Sequence, residues 1–411
     1  MENLKVNGER LWQSLMELAK IGATAKGGVC RLALTDVDRE GRDLFVRWCE
    51  EAGCTVTVDR MGNIFARRPG RDQSLPPVLA GSHLDSQPTG GKFDGAYGVL
   101  AGLEVIRTLN DLEVETDAAV EVVAWTNEEG SRFSPPMIGS GVFAGEFELD
   151  YALERADTDG KTMGAELSRI GYAGELAVGG RAVGAYFEAH IEQGPILEAE
   201  EKVIGVVSGA QGQRWYEVRV SGQEAHAGPT PMERRRDALL GAARMVAEVN
   251  GIAMARQPYA CATVGMMQVS PNSRNVIPGS VFFTVDLRHP EDEVLLTMDG
   301  ALREACGRIA EDAGLGLEID DFFYFPPTPF EAGCVAAVRA AAERAGYPHR
   351  DIVSGAGHDA VYMAKVAPTG MIFVPCEDGI SHNEIENAEP EHLEAGCNVL
   401  LQAVLSRANA A

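Results

Sequence analysis

With 411 residues, 45% of them hydrophobic, the chain is long enough for two or three domains with a sizeable core. Its formal charge of −25, from 36 basic and 61 acidic residues, argues against a nucleic-acid partner, which needs a basic face. The apolar runs are too short to cross a bilayer, and the polar opening residues lack a signal-peptide core, so a cytoplasmic protein with no membrane partner is expected.

Residues 8–22 carry Leu11, Leu15, Leu18 and Ile21 at helical spacing, and 39–52 form a second amphipathic helix. Segments 55–58 and 63–66 flank Met61-Gly62 as a hairpin. An apolar strand at 77–80 leads into Gly81-Ser82-His83-Leu84-Asp85. Asp94-Gly95 follows and opens a helix over 96–110 whose first residues are small. A strand at 120–125 runs into Thr126-Asn127-Glu128-Glu129-Gly130. Residues 131–182 are loop-rich, with short helices near 149–156 and 162–170. A strand at 186–190 ends in His190 and is followed by Glu192-Gln193-Gly194-Pro195.

From about residue 210 the texture changes. Strands at 215–220, 259–269, 280–288 and 315–325 and helices at 237–252 and 291–314 give the βαββαβ order of a ferredoxin-like unit. The chain then returns to a helix at 330–346, a strand at 371–374, a loop holding His382 and a closing helix at 389–408. The expected architecture is an α/β domain built from 1–209 and 326–411, interrupted by a smaller α+β insert at 210–325. The basic run Arg234-Arg235-Arg236, between Glu233 and Asp237, reads as a solvated helix start. Eight cysteines are scattered without a C-x-x-C pair, and read as buried small apolar groups in a reducing compartment.

The chemistry concentrates where strands end, the edge at which α/β sheets place their sites. His83 is a candidate metal ligand, with Asp85 placed to accept its other imidazole N–H. Asp94 is either a turn residue or a carboxylate bridging two cations. Glu128 and Glu129 stand side by side after a buried strand, where paired negative charge needs a cation. Consecutive residues point in different directions, so one can ligate while the other moves protons. His190 and His382 complete a set in which His83 and His190 hold one metal, Glu129 and His382 the other, and Asp94 both. Within the insert, His226 and an Arg on a lid would suit an oxyanion and a carboxylate. Gly355-Ala356-Gly357-His358-Asp359 is either a helix start with N–H groups facing an anion or a tight turn with a capping Asp.

The motifs Gly81 to Gly95, T-N-E-E-G-S-R-F from Thr126, H-I-E-Q-G-P from His190 and E-A-H-A-G-P-T-P-M from Glu224 follow one another in order. N-S-R-N-V-I-P-G from Asn272, D-L-R at 286–288, G-A-G-H-D-A from Gly355 and D-G-I-S-H from Asp378 complete the series. Together they make the chain resemble, over nearly its whole length, the hydantoinase/carbamoylase branch of the M20 metallopeptidase-like amidohydrolases. That branch includes N-carbamoyl-L-amino acid hydrolases, β-ureidopropionase and allantoate amidohydrolase. The resemblance implies an aminopeptidase-like domain binding two divalent metals through His83, Asp94, Glu129, His190 and His382, with Glu128 as general base. It also implies a ferredoxin-like lid that forms a homodimer, with His226 reaching the partner subunit's site and Asn275 and Arg288 holding a substrate carboxylate. Gln193, Gln211 and Gly357 are further candidate substrate contacts.

The expected reaction is hydrolysis of an N-carbamoyl-L-amino acid or N-carbamoyl-β-alanine, a small anionic ureido substrate, to amino acid, carbon dioxide and ammonia. The Gln87-Pro88 element of the loop after Asp85 favours this over allantoate hydrolysis, the nearest alternative; a noncatalytic metal-stabilised binding protein is the rival of a different class. Zinc is the default cation, and a His/carboxylate set also suits manganese, cobalt or nickel.

Overall fold

Four strands whose residues are all buried lie side by side and parallel: Val120–Trp125, Val78–His83, Ala185–Ile191 and Thr369–Val374. Their sequences are nearly continuous apolar runs, as expected for a parallel sheet covered on both faces. The computed structural model describes residues 4–409, and these strands form the centre of a nine-stranded sheet. On one side an antiparallel hairpin, Thr55–Val58 with Ile64–Arg68, extends the sheet; on the other, Ile204–Ala210 runs antiparallel to Thr369–Val374. Helices Ala96–Asp111 and Pro390–Ala408 pack on the parallel strands, and most of their residues are buried. Pairing of His83 with Trp125, and of His190 with Phe373, brings the ends of all four strands to one edge.

The chain divides into two compact units: one runs up to Gly209 and resumes at Pro329, the other is Ala210–Thr328. In the second unit an antiparallel sheet has Gly212–Ser221 and Ser280–His289 at its centre. Gly316–Phe325 forms one edge, and Met267–Ser270 and Cys261–Thr263 pair with the other side. Tyr216, Val218 and Val220 alternate with more exposed residues and join helices Ala238–Met254 and Asp292–Ala313 in a separate core. Asp237 caps the first of these helices by accepting the N–H groups of Leu239 and Leu240.

Several elements differ from the sequence expectation. The helix expected over 8–22 ends at Leu18, and the buried Arg31 guanidinium bonds the carbonyls of Leu18 and Ile21 at and just past that end. The strand expected at 259–269 is two short strands. Strand Ile204–Ala210, helix Ile138–Phe143 and strand His349–Ser354 have no counterpart in the sequence expectation, while helix Asp359–Met363 realises the helix-start reading of Gly355–Asp359. Among the described residues all eight cysteines are free, and no helix is long and apolar enough to cross a membrane.

One buried ion pair joins the fold to the functional edge. Arg42 Nε donates to Asp38 Oδ2 at 2.8 Å, and both side chains are excluded from solvent. The guanidinium also bonds the Gly62 carbonyl at 2.8 Å and reaches Thr126 Oγ1 at 3.3 Å, just before Asn127-Glu128-Glu129. Arg42→Met strands the Asp38 carboxylate in the core and should cost about 3–5 kcal/mol in urea unfolding. Adding Asp38→Leu should recover part of that loss; a single variant within 1 kcal/mol (roughly) of wild type would remove the pair from this role.

Candidate metal centre

His83 is the last residue of its strand, and its Nδ1 donates to the backbone carbonyl of Asp85 at 2.9 Å. Because a carbonyl only accepts, Nδ1 carries a proton, so in the neutral ring Nε2 is the donor atom that faces the edge. His190 repeats the device with the carbonyl of Ile191 at 2.9 Å. The Asp85 carboxylate, expected to hold His83, lies 3.9 Å from Nδ1. It accepts instead the backbone N–H groups of Glu128 and Glu129, both at 3.2 Å, and so orients the turn that presents the two glutamates.

Asp94 lies between the two halves of the cluster. Its Oδ1 is 3.6 Å from His83 Nε2 and 3.2 Å from His190 Nε2. Its Oδ2 is 3.4 Å from His382 Nε2, which is itself 3.3 Å from Glu129 Oε2. The structure therefore brings together two ligand groups, His83–Asp94–His190 and Asp94–Glu129–His382, within each of which the donor atoms lie inside 4.8 Å of one another. Gly95 makes the approach feasible: it has φ +65°, and a Cβ there would overlap the His83 ring. Glu128 is buried, with Oε2 3.4 Å from His83 Nε2.

The donors fit divalent cations. Burial, with the Asp359, Glu129 and Asp94 charges, pushes Glu128 well up despite His83. Burial, then the Asp94 charge, pushes Glu129 up to about 8. Burial alone would lower His83, yet Glu128, Asp94 and Asp85 hold it well above its ordinary value. Burial opposes ionisation of Asp94, but its hydrogen bonds with His190 and His83 hold it well below the usual carboxylate range. This is a surplus of buried negative charge that holds the His83 and His190 imidazoles protonated in the metal-free fold, the environment a cation relieves by displacing those protons. Gln193 adds to the fit: its Nε2 donates to Asp94 Oδ2 at 2.8 Å, while its buried Oε1 has no partner.

The remaining sequence candidates are placed as follows. Gly357 is exposed in the loop before helix Asp359–Met363. That helix is five residues long, and Asp359 does not cap it; Oδ1 accepts the Ser140 hydroxyl at 2.5 Å. His226, Asn275, Arg288 and Gln211 belong to the second unit. His226 pairs with Val276 in a two-stranded ribbon, and the Asn275 carbonyl accepts the N–H of Ala227, so these two positions adjoin. Arg288 pairs with Gln213 across the sheet and forks onto Asp286, Nη2 to Oδ2 at 2.9 Å. Gln211 directly precedes strand Gly212–Ser221.

Residues 79–406 match the profile of peptidase family M20/M25/M40. The chain is a member of that family. M20 proteins typically depend on two metal ions, and the ligand groups above are candidates for them. An N-carbamoyl-L-amino-acid amidohydrolase of Rhizobium meliloti is 54% identical, over 99% of this chain and 98% of its own. The crystal structure of an amidase of the hydantoinase/carbamoylase family from Burkholderia multivorans superposes with a TM-score of 0.97 at 69% identity, covering 99% of each chain. An allantoate amidohydrolase of Bacillus subtilis is 33% identical over 93% of each chain. This M20 chain is thus a hydantoinase/carbamoylase-type amidohydrolase.

Several residues of the M20 centre escaped the sequence reading. Gln87 donates to the Glu129 carboxylate twice, from Nε2 at 2.7 Å and from its backbone N–H at 3.2 Å. The buried Glu188 accepts from Ser82, Tyr186 and the backbone of Ala360. The His358 ring lies 4.5 Å from that of His190. Glu386, pushed up to about 7 by burial and the Asp94 charge, accepts the N–H groups of Phe93 and Asp94. Gln87 and His358 lie in motifs read above without a role at the ligands; for the others adjacency is the signal, Glu188 preceding His190 by two residues and Glu386 following His382 by four.

These shifts set a pH dependence for the metal-free protein. Glu129 ionises at about 8 in the fold against 4.5 ordinarily, so between those values the native state holds the extra proton. Stability on this account is complete below 4.5 and is lost as pH rises through about 8; His83, also raised, acts with the same sign. The Tm of chelator-stripped protein should fall from about pH 5 to about pH 8, and saturating zinc should flatten the slope. A metal-free Tm that rises across this range would contradict the charge surplus.

Proposed function

We propose that this chain hydrolyses N-carbamoyl-L-amino acids, or N-carbamoyl-β-alanine, to the amino acid, carbon dioxide and ammonia. The observation that carries the reading is the single Asp94 carboxylate, with one oxygen toward His83 and His190 and the other toward Glu129 and His382. The full-length likeness to the Rhizobium meliloti N-carbamoyl-L-amino-acid amidohydrolase supports the substrate class over allantoate.

A dinuclear aminopeptidase-like catalytic domain with an inserted lid is part of the proposal. His83, Asp94 and His190 would hold one cation and Asp94, Glu129 and His382 a second. Zinc is the preferred occupant, with manganese, cobalt or nickel as alternatives on the same donors. When bound, the pair supplies Lewis acidity, which a ureido carbonyl needs because both nitrogen lone pairs weaken it as an electrophile.

The chain's own residues do the rest. Glu128, buried beside His83 and ionised once cations occupy the cluster, takes a proton from water as its oxygen bonds to the ureido carbon. The same carboxyl returns that proton to the departing nitrogen as the C–N bond breaks. One water is consumed for each amino acid, carbon dioxide and ammonia. Asn275 and Arg288, its fork oriented by Asp286, anchor the substrate carboxylate. His226 of the partner subunit stabilises the tetrahedral oxyanion, with Gln193, Gln211 and the backbone at Gly357 as further substrate contacts. A homodimer through the second unit is supported by its exposed Trp215, Phe322, Phe323 and Tyr324. A cytoplasmic setting is supported by eight free cysteines.

Ammonia release from an N-carbamoyl-L-amino acid, its D-enantiomer, N-carbamoyl-β-alanine and allantoate tests the substrate. An N-carbamoyl amino acid should give the highest kcat/KM, and preference for allantoate would replace this reading. Glu128→Gln should lose about 10²–10⁴ in kcat at unchanged metal content, and full turnover would remove Glu128 from the role of base.

A further inference from the structure

One buried carboxylate touches the centre yet belongs to neither ligand group. Glu386 is 2% exposed. Its Oε1 accepts the N–H of Phe93 at 2.9 Å and of Asp94 at 3.2 Å. Its Oε2 lies 3.2 Å from the Ser381 hydroxyl, which is 2.7 Å from Asp94 Oδ2. The 91–94 turn is shaped around it, because a Cβ at Gly91 would overlap the Glu386 carboxylate.

Glu386 follows His382 by four residues, and the segment between is short and closed. The Glu386 N–H bonds the Asn383 carbonyl, the Glu377 N–H bonds the Asn387 carbonyl, and Asn387 Nδ2 donates to Glu377 Oε2 at 3.0 Å. The Glu386 side chain, together with the Ser381 hydroxyl, therefore pins the loop carrying His382 to the loop carrying Asp94. The other histidines are fixed differently. His83 and His190 lie at the ends of buried strands with Nδ1 on backbone carbonyls, whereas the His382 side chain is half exposed and its backbone is left-handed, φ +52°.

We propose that Glu386 is a positioning residue for the second ligand group: it holds Asp94 and His382 at the spacing a second cation requires. Occupancy of the Asp94–Glu129–His382 position depends on it, and occupancy of the His83–Asp94–His190 position does not. The inference rests on the dinuclear reading above. Charge-assisted bonds from main-chain N–H groups make such a clamp stiff. Loss of an outer partner of a ligand typically costs 10–100-fold in metal affinity.

The test titrates chelator-stripped full-length protein with cobalt(II) chloride, following heat and the visible ligand-field bands. Wild type should take two equivalents. Glu386→Ala should bind the first within about threefold of wild type and the second about 10–100-fold more weakly, with the bands of the second ion altered. Glu386→Gln, whose amide oxygen still accepts from Phe93 and Asp94, should recover much of the second affinity. Unchanged binding of both ions in Glu386→Ala, or equal weakening of both, overturns the inference. A wild type that binds one equivalent overturns the dinuclear reading instead. Should Glu386→Ala lose the native circular dichroism spectrum, Ser381→Ala, which removes the hydroxyl between Glu386 and Asp94, carries the comparison, and unchanged second-ion affinity in it overturns the inference.

Discussion

The centre depends on one carboxylate shared between two sets of donors. Asp94 can serve both only if its oxygens point apart into pockets built by different parts of the chain. The His83 and His190 strands supply one pocket; the turn after Trp125 and the loop after Val374 supply the other. Parallel pairing in register is what lets four distant segments deliver residues to one oxygen pair. Every other feature of the edge serves that convergence. Gly95 removes the side chain that would block it, and Asp85 turns the two glutamates toward it.

The same convergence concentrates negative charge where water cannot screen it. Glu128, Glu129, Glu188, Asp359 and Glu386 are all pushed up, chiefly by burial. An acidic chain has little positive charge to spare for the interior. Its most buried arginine contacts are structural: Arg31 bonds the carbonyls of Ile21 and Leu84, and Arg42 neutralises Asp38 beneath the turn at Thr126. The fold therefore keeps its own cations in the walls and leaves the cluster dependent on ions from outside.

Much of this was legible in the sequence. The strand ends at His83, Glu128-Glu129 and His190 could be read because a buried parallel strand is an apolar run, and a charged residue closing it stands out. The alternation around Tyr216 and Val218 likewise exposed the sheet of the second unit. Ile204–Ala210, with its two glycines, and His349–Ser354, with three ionisable residues in six, carry no such contrast and were missed. What composition and spacing cannot encode is the partner of a buried polar atom. Asp85 was assigned to an imidazole because it lies two residues away, whereas the main chain satisfies that imidazole and frees the carboxylate. Glu386 was signalled only by its place four residues after His382, since the main-chain groups it binds are nearly 300 residues away in sequence.

Two of the three imidazoles are oriented by peptide carbonyls, and that has an evolutionary consequence. A main-chain acceptor is present whatever residue occupies the position, so no exchange of a neighbouring side chain can reverse the tautomer of His83 or His190. Glu129 and Asp94 are steadied by the replaceable side chains Gln87, Gln193 and Ser381. Mutational drift thus has an invariant half to lean on and an adjustable half to tune, which confines any change of metal preference to the latter.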